Sequence, residues 1–111
     1  MTTAGNIDIV TTTDELAAIS ATGTTVIDFW AAWCGPCRSY APVFAKTAAE
    51  NPDRRFVKID VDAAPGLAAA QHVMSIPTTV IIVNGETQAR LVGAVNQERL
   101  ETAIRDAEAG A

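Results

Sequence analysis

Cys34 and Cys37 are the only cysteines of this 111-residue chain, and two residues separate them. Two thiols at this spacing can close a small disulfide ring and reopen it, or they can share a metal ion. The Trp-Cys-Gly-Pro-Cys stretch at 33–37 joins a predicted strand, Thr24 to Trp30, to a predicted helix. Free backbone N–H groups and the helix dipole favour negative charge at such a junction, so we expect Cys34 to form a thiolate more readily than a free cysteine.

A structural disulfide and a metal site are the alternatives to redox chemistry at this pair. A complete metal site needs further ligands, but His72 is the only histidine and no third cysteine exists, so we expect no metal. The N-terminus lacks a charged segment followed by an apolar one, which predicts no secretory signal and a cytoplasmic protein. In a reducing cytosol, a close cysteine pair is more often catalytic or metal-binding than structural. An exported protein whose signal sequence has been removed would also lack this N-terminal pattern.

Asp28 is the second candidate for a chemical role, because it is an acid among the apolar residues between 26 and 30. We expect its carboxyl group to be buried, which raises the pKa because the charged form loses its hydration. A position at a solvated sheet edge is the alternative. Lys58, on a neighbouring predicted strand, is either a charge close to Asp28 or a plain surface lysine.

The composition is that of a globular protein, with 49% hydrophobic and 19% charged residues. This length predicts a single domain over residues 1–111, ordered from about residue 7 to residue 107. The net charge of −5 gives no support for a nucleic-acid partner. No apolar run approaches the length of a membrane span, so we expect no membrane association.

Alternating strand and helix patterns describe the elements that must position these residues. We predict strands at 7–10, 24–30, 56–61, 78–83 and 87–92, with helices after Thr12, from the cysteines to about Asn51, at 65–71 and after Asn96. Asn84-Gly85 between two β-rich runs predicts a hairpin. The order βαβαβαββα predicts an α/β protein, with a central mixed five-stranded sheet flanked by four helices.

The stretch from Phe29 to Cys37 resembles the active site of the thioredoxin family. The resemblance extends from about Ile7 to Ala107 and implies the thioredoxin fold. Further matches follow in the family's order: Pro42 in the long helix, Lys58-Ile59-Asp60-Val61-Asp62, Ile76-Pro77-Thr78, Asn84-Gly85-Glu86 and Val92-Gly93-Ala94.

The resemblance implies roles for the residues of the cysteine motif. Cys34 is expected to be the exposed nucleophile, which attacks a client disulfide and forms a mixed disulfide, and Cys37 resolves it. Gly35 leaves room for the ring and for a client backbone. Pro36 stiffens the first helical turn, where its missing N–H costs nothing.

Three further features of the site are implied by the same resemblance. Asp28 assists proton transfer to or from Cys37, through water where direct contact is absent. A cis Ile76–Pro77 bond lies beside Cys34, and the Ile76 backbone can pair with an extended client strand. A flat apolar docking surface is formed by Trp33, Gly35, Pro36, Ile76, Gly93 and Ala94.

The family implies a monomeric protein-disulfide reductase that maintains redox homeostasis with a redox-active Cys34–Cys37 disulfide and no bound cofactor. Electrons come from NADPH through a flavin-dependent thioredoxin reductase. The expected clients are ribonucleotide reductase, peroxiredoxins and methionine sulfoxide reductases. One alternative is an oxidant or isomerase of a more oxidising compartment, against which Gly35-Pro36 argues. Another is a non-enzymatic binding subunit that uses the same apolar face.

Four other residues receive structural interpretations. Trp30 is expected to pack beside the site, and Tyr40 and Met74 to be ordinary packing residues. His72 stands where the family often carries glycine at a helix end, so a left-handed backbone there is less comfortable. We expect His72 to be an exposed turn residue, neither a ligand nor a base.

Overall fold

The computed structural model describes residues 3–4 and 7–111, with side chains from residue 7 onward. The strands of this part are β1 (Thr3–Ala4), β2 (Ile7–Ile9), β3 (Thr24–Trp30), β4 (Arg55–Asp60), β5 (Thr78–Val83) and β6 (Glu86–Val92). The helices are α1 (Thr13–Ser20), α2 (Gly35–Glu50), α3 (Pro65–Ala70) and α4 (Gln97–Ala109). All five predicted strands and four predicted helices are confirmed. The two-residue β1 was not predicted, and α4 extends past residue 107.

The strands form one mixed sheet in the order β1-β2-β4-β3-β5-β6. Strands β2, β4 and β3 run parallel, whereas β5 is antiparallel to β3, and β6 is antiparallel to β5. In the two ladders of β3, Asp28 lies opposite Lys58 of β4 and opposite Thr79 of β5. Asp28 therefore occupies an interior strand with a paired neighbour on each side.

Helices cover both faces of the sheet. On one face, Val26 packs in a cluster with residues of α2 and α4, and on the other, Ile27 and Phe29 pack with residues of α1 and α3. Successive side chains of a strand point to opposite faces. Asp28 is in phase with Val26, so its carboxyl group faces the layer that contains α2.

Local signals in the sequence explain several element ends. Thr12 and Glu15 form the reciprocal bonds of a capping box at the start of α1. The Asn96 side chain accepts a bond from a backbone N–H in the first turn of α4. Asn84 and Gly85 have φ values of 50° and 86°, which fits the tight hairpin turn predicted there. No helix in the described part of the chain is long and apolar enough to cross a membrane.

Candidate active site

Cys34 occupies the N-cap of α2, and its sulfur takes the place of the usual capping oxygen. The backbone N–H of Cys37 donates to Cys34 Sγ over 3.2 Å. The two cysteines are joined in a disulfide with a Cα–Cα distance of 5.2 Å. The predicted strand-to-helix junction is confirmed, and a backbone donor as well as the helix dipole favours negative charge on Cys34 when the pair is reduced.

The expectation that Cys34 is exposed is wrong for the residue as a whole. Cys34 is 5% exposed and Cys37 is 2% exposed, so the two differ little. The cause is the loop before β5: Cys34 Sγ lies 3.7 Å from the carbonyl oxygen of Ile76, and Ile76 packs against the cysteine cluster. Trp30 packs against the same cluster, as expected.

The loop that carries Pro77 has the predicted geometry. The Ile76–Pro77 peptide bond is cis. Gly93 has a φ of 97°, which favours glycine, and its N–H donates to the Pro77 carbonyl oxygen over 2.8 Å. The structure thus brings Cys34, Ile76, Pro77 and Gly93 together, while Ala94 follows on the exposed surface.

Asp28 is fully buried, which confirms the sequence expectation and rules out the solvated sheet edge. Neither carboxyl oxygen accepts a hydrogen bond from the described part of the protein. Lys58 Nζ lies 3.7 Å from Asp28 Oδ2 and 4.8 Å from the centre of the Trp30 ring, so Lys58 is the nearby charge. Burial raises the pKa of Asp28 to about 6, and the Lys58 ammonium opposes that rise.

Tyr40 and Thr79 form a buried polar contact that the sequence interpretation missed. The two hydroxyl oxygens lie 2.7 Å apart, and both residues are fully buried. Burial raises the pKa of the Tyr40 phenol, and the negative charge of Asp28 acts in the same direction. Helical spacing alone predicts an ordinary packing role for Tyr40 and gives no indication of this contact. The contact depends on the register of β5 and on the position of α2 above it, which no local signal in the sequence indicates.

Trp33 and Ile76 line an apolar groove of about 390 Å³. Met74 lines it and is 93% exposed, so the expectation that Met74 is an ordinary packing residue is wrong. The loop between α3 and Pro77 presents Met74 to solvent. The other lining residues are Val61, Ala68, Val73 and Ser75.

Trp33 is 68% exposed, and its indole N–H donates to Asp62 Oδ2 over 2.8 Å. The sequence alone does not indicate this contact of Asp62. The hydrogen bond fixes the orientation of an exposed aromatic ring at one wall of the groove. Gly35 is half-buried and Pro36 is exposed, which places both beside the cysteine pair at the surface.

His72 is exposed, as expected, and has a φ of 58° after the end of α3. The backbone at His72 is therefore left-handed, the conformation that is less comfortable for histidine than for the family's glycine. Within the described residues, no group of three or more histidine, cysteine or acidic side chains is arranged to hold a metal ion.

Comparisons with known proteins agree with this geometry. The family model described as Thioredoxin matches residues 8–106. The thioredoxin of Mycoplasma genitalium is 42% identical over 81 residues, which cover 73% of this chain and 79% of that protein. Oxidised mitochondrial thioredoxin 3 of Saccharomyces cerevisiae is 39% identical with a TM-score of 0.82, covering 90% of this chain and 94% of that one.

A second similar structure comes from a study of thiol resolution in a yeast mitochondrial 1-Cys peroxiredoxin via glutathione and thioredoxin systems. It has a TM-score of 0.83 and 38% identity, and it covers 90% of this chain and 94% of that one. These neighbours confirm the predicted thioredoxin fold. The family model and the Mycoplasma genitalium relative each match most of the chain, including the cysteine pair. The chain therefore belongs to the thioredoxin family and is a thiol–disulfide oxidoreductase.

Proposed function

We propose that Cys34 is the nucleophile and Cys37 the resolving thiol in the reduction of protein disulfides. The observation that carries this assignment is the hydrogen bond from the Cys37 N–H to Cys34 Sγ at the start of α2. It stabilises a thiolate on Cys34, whereas Cys37 Sγ accepts no hydrogen bond from the part of the chain that the structure describes. In thiol–disulfide exchange the thiolate is the attacking species, so the more stable thiolate reacts first at neutral pH.

The reaction then proceeds in two balanced steps. The Cys34 thiolate attacks one sulfur of the client disulfide, the client S–S bond breaks, and the second client sulfur leaves as a thiolate. Cys37 loses its proton and attacks Cys34 Sγ, which breaks the mixed disulfide and releases the first client sulfur. The client gains two electrons and two protons, and the Cys34–Cys37 disulfide forms.

Asp28 is the proposed acceptor of the Cys37 proton, directly or through water. A general base works best when its pKa lies near the operating pH. The pKa of Asp28, raised to about 6 by burial, meets that requirement far better than an ordinary carboxyl group does. Lys58 supports this role, because its ammonium keeps the ionised form accessible.

The docking surface for clients is proposed to consist of Trp33, Ile76, Gly93 and Ala94, with Gly35 and Pro36 beside the disulfide. The hydrogen bond from the Gly93 N–H to the Pro77 carbonyl oxygen holds the Ile76 and Gly93 segments together. An extended client segment would pair with the Ile76 backbone, which gives binding that tolerates many sequences.

The proposed electron source is NADPH, delivered by a flavin-dependent thioredoxin reductase. The chain would act as a single-domain monomer in the cytoplasm and bind no cofactor itself. Ribonucleotide reductase, peroxiredoxins and methionine sulfoxide reductases are the proposed clients. A structural neighbour studied for thiol resolution in a 1-Cys peroxiredoxin supports the peroxiredoxin class.

A coupled assay tests the proposal: NADPH oxidation is followed with a thioredoxin reductase, this protein and a disulfide-bearing client. We expect NADPH consumption that requires all three proteins and disappears in a Cys34→Ser, Cys37→Ser double variant. Activity retained by the double variant would instead indicate a non-enzymatic binding subunit. Oxidation of reduced clients without NADPH turnover would indicate an oxidant.

A further inference from the structure

The Tyr40–Thr79 hydroxyl pair lies on the same face of the sheet as Asp28. Thr79 and Asp28 are directly opposite each other in the β3–β5 ladder, so their side chains project to the same side. The adjacent residues Val26 and Ile81 pack with Tyr40 in one cluster, which shows that this side is the one α2 covers. Tyr40 therefore reaches down from α2 to a threonine beside the buried acid.

Within the described part of the chain, some hydrogen-bond donors and acceptors among these three residues have no partner. Asp28 presents carboxyl oxygens that accept no hydrogen bond from the described residues. Two hydroxyl groups carry two protons, and the bond between Tyr40 and Thr79 uses one of them. One hydroxyl proton therefore remains in the buried layer next to an acceptor without a donor, and leaving both unpaired is unfavourable.

Either hydroxyl group can donate in this bond, and the positions of the two residues favour Tyr40 as the donor. Thr79 is the strand neighbour of Asp28, whereas Tyr40 comes from the helix above. If Tyr40 donates to Thr79, the Thr79 proton is free to point toward the carboxylate. Since burial raises the pKa of the phenol, Tyr40 stays protonated and keeps this role throughout the neutral range.

Other ionisable groups that face Asp28 are few in the described structure. Lys58 approaches from β4 at 3.7 Å, and Tyr40 approaches from α2. Strand β5 contributes Thr79 and carries no charged side chain. In the reduced protein, Cys37 in the first turn of α2 adds a titrating thiol. Thr79 is thus the one neutral donor from the strand on the other side of Asp28.

We propose that Thr79, positioned by Tyr40, donates a hydrogen bond to the Asp28 carboxylate through one water, and that this bond sets the pH at which Asp28 accepts the Cys37 proton. This inference rests on the proposed role of Asp28 in proton transfer. Thr79 and Tyr40 act through Asp28 and are positioning residues. Lys58 and Thr79 would then stabilise the ionised carboxylate from opposite sides.

The test is an NMR titration of the Asp28 carboxyl carbon in the reduced protein, combined with the pH–rate profile of client reduction. Thr79→Val keeps the shape and removes the donor, and we expect it to raise the pKa of Asp28 by about one unit. Tyr40→Phe should raise it less, because Thr79 keeps its proton. Thr79→Ser should leave it as in the wild type.

Thr25→Val is the matched control. Thr25 is also a fully buried threonine of the sheet, but it is in phase with Ile27 and faces away from Asp28. If Asp28 titrates at the same pH in Thr79→Val as in Thr25→Val, the proposal is overturned. If Thr79→Val does not fold, an unchanged Asp28 titration in Tyr40→Phe would overturn the positioning by Tyr40.

The two readouts separate this inference from the proposed function. A raised pKa of Asp28 with a parallel shift of the pH–rate profile supports both. A raised pKa without any change in the profile supports the hydrogen bond and contradicts the proton-transfer role of Asp28.

Discussion

Lys58 Nζ lies 3.7 Å from Asp28 Oδ2, across two paired strands of the sheet. The distance is too long for a hydrogen bond, so the ammonium acts on the carboxylate as a nearby charge. Asp28 is fully buried, whereas the Lys58 side chain is 20% exposed. Attraction over this distance does not restore the hydration that the carboxylate loses, and the pKa of Asp28 therefore stands above its ordinary value.

Asp28→Asn is expected to stabilise the protein at neutral and alkaline pH. The pKa of Asp28 is about 6 in the folded protein and 3.8 when unperturbed, so the folded state favours the protonated acid. Stability from this preference is complete below about pH 3.8 and is lost as pH rises through 6. We expect a gain in unfolding free energy of about 1–3 kcal/mol at pH 8, which vanishes near pH 4, measured by urea denaturation.

Asp106→Asn is the control for this measurement, because Asp106 is an exposed carboxylate in α4. It removes the same formal charge without relieving any burial. A gain for Asp28→Asn that is the same at pH 4 and pH 8 would contradict the assignment of the effect to ionisation.

The same Asp28→Asn variant should reduce disulfides more slowly. An amide cannot accept the Cys37 proton, so resolution of the mixed disulfide loses its base. We expect turnover near pH 7 to fall at least about tenfold, with a smaller deficit at high pH, where hydroxide removes the proton. The measurement is client reduction across pH at saturating reductase. Equal turnover of variant and wild type across the whole range would refute this role.

His72→Gly should stabilise the protein without affecting exchange. His72 holds a φ of 58°, a conformation that a glycine adopts without steric cost. The greater freedom of glycine in the unfolded chain offsets part of the gain, so we expect about 0.5–1 kcal/mol in denaturant unfolding. His72→Ala keeps a Cβ in the same conformation and serves as the control. A larger gain for alanine than for glycine would contradict the steric explanation.

Met74→Glu should weaken the binding of protein clients while sparing small disulfides. Met74 is 93% exposed at an apolar groove that Trp33 also lines, so a carboxylate there would have to lose hydration when a client docks. We expect KM for a protein disulfide to rise about tenfold and kcat/KM for a small aromatic disulfide to stay unchanged.

Ala18→Glu introduces the same charge at an exposed residue of α1 that does not line the groove, and it should leave both substrates unaffected. An equal loss with the small disulfide would show that Met74→Glu disturbs the cysteine pair itself.

The sequence predicts the framework of this protein well, because its signals are local. The β-branched run of β3, the Asn84-Gly85 turn and the cap at Asn96 each act within a few residues, and the resemblance supplied the cis bond before Pro77. Contacts between distant segments were missed. Arg54 forms two hydrogen bonds of 2.7 Å with Glu108, near the end of α4, and nothing local to either residue indicates this pairing.

The same limit applies within the site. Burial of Asp28 follows from its apolar neighbours, but its contact with Lys58 depends on strand register. The Tyr40–Thr79 bond requires both the register of β5 and the position of α2 above it. Exposure of Cys34 was overestimated because the Ile76 loop, which covers it, is distant in the sequence.

Trapping of mixed disulfides tests the assignment of Cys34 as nucleophile most directly. A client disulfide is mixed with the reduced Cys37→Ser and Cys34→Ser variants, and covalent adducts are identified by mass spectrometry. The account predicts a stable adduct through Cys34 in Cys37→Ser, because no thiol remains to resolve it, and little or none in Cys34→Ser. An adduct that forms faster through Cys37 in the Cys34→Ser variant would contradict it.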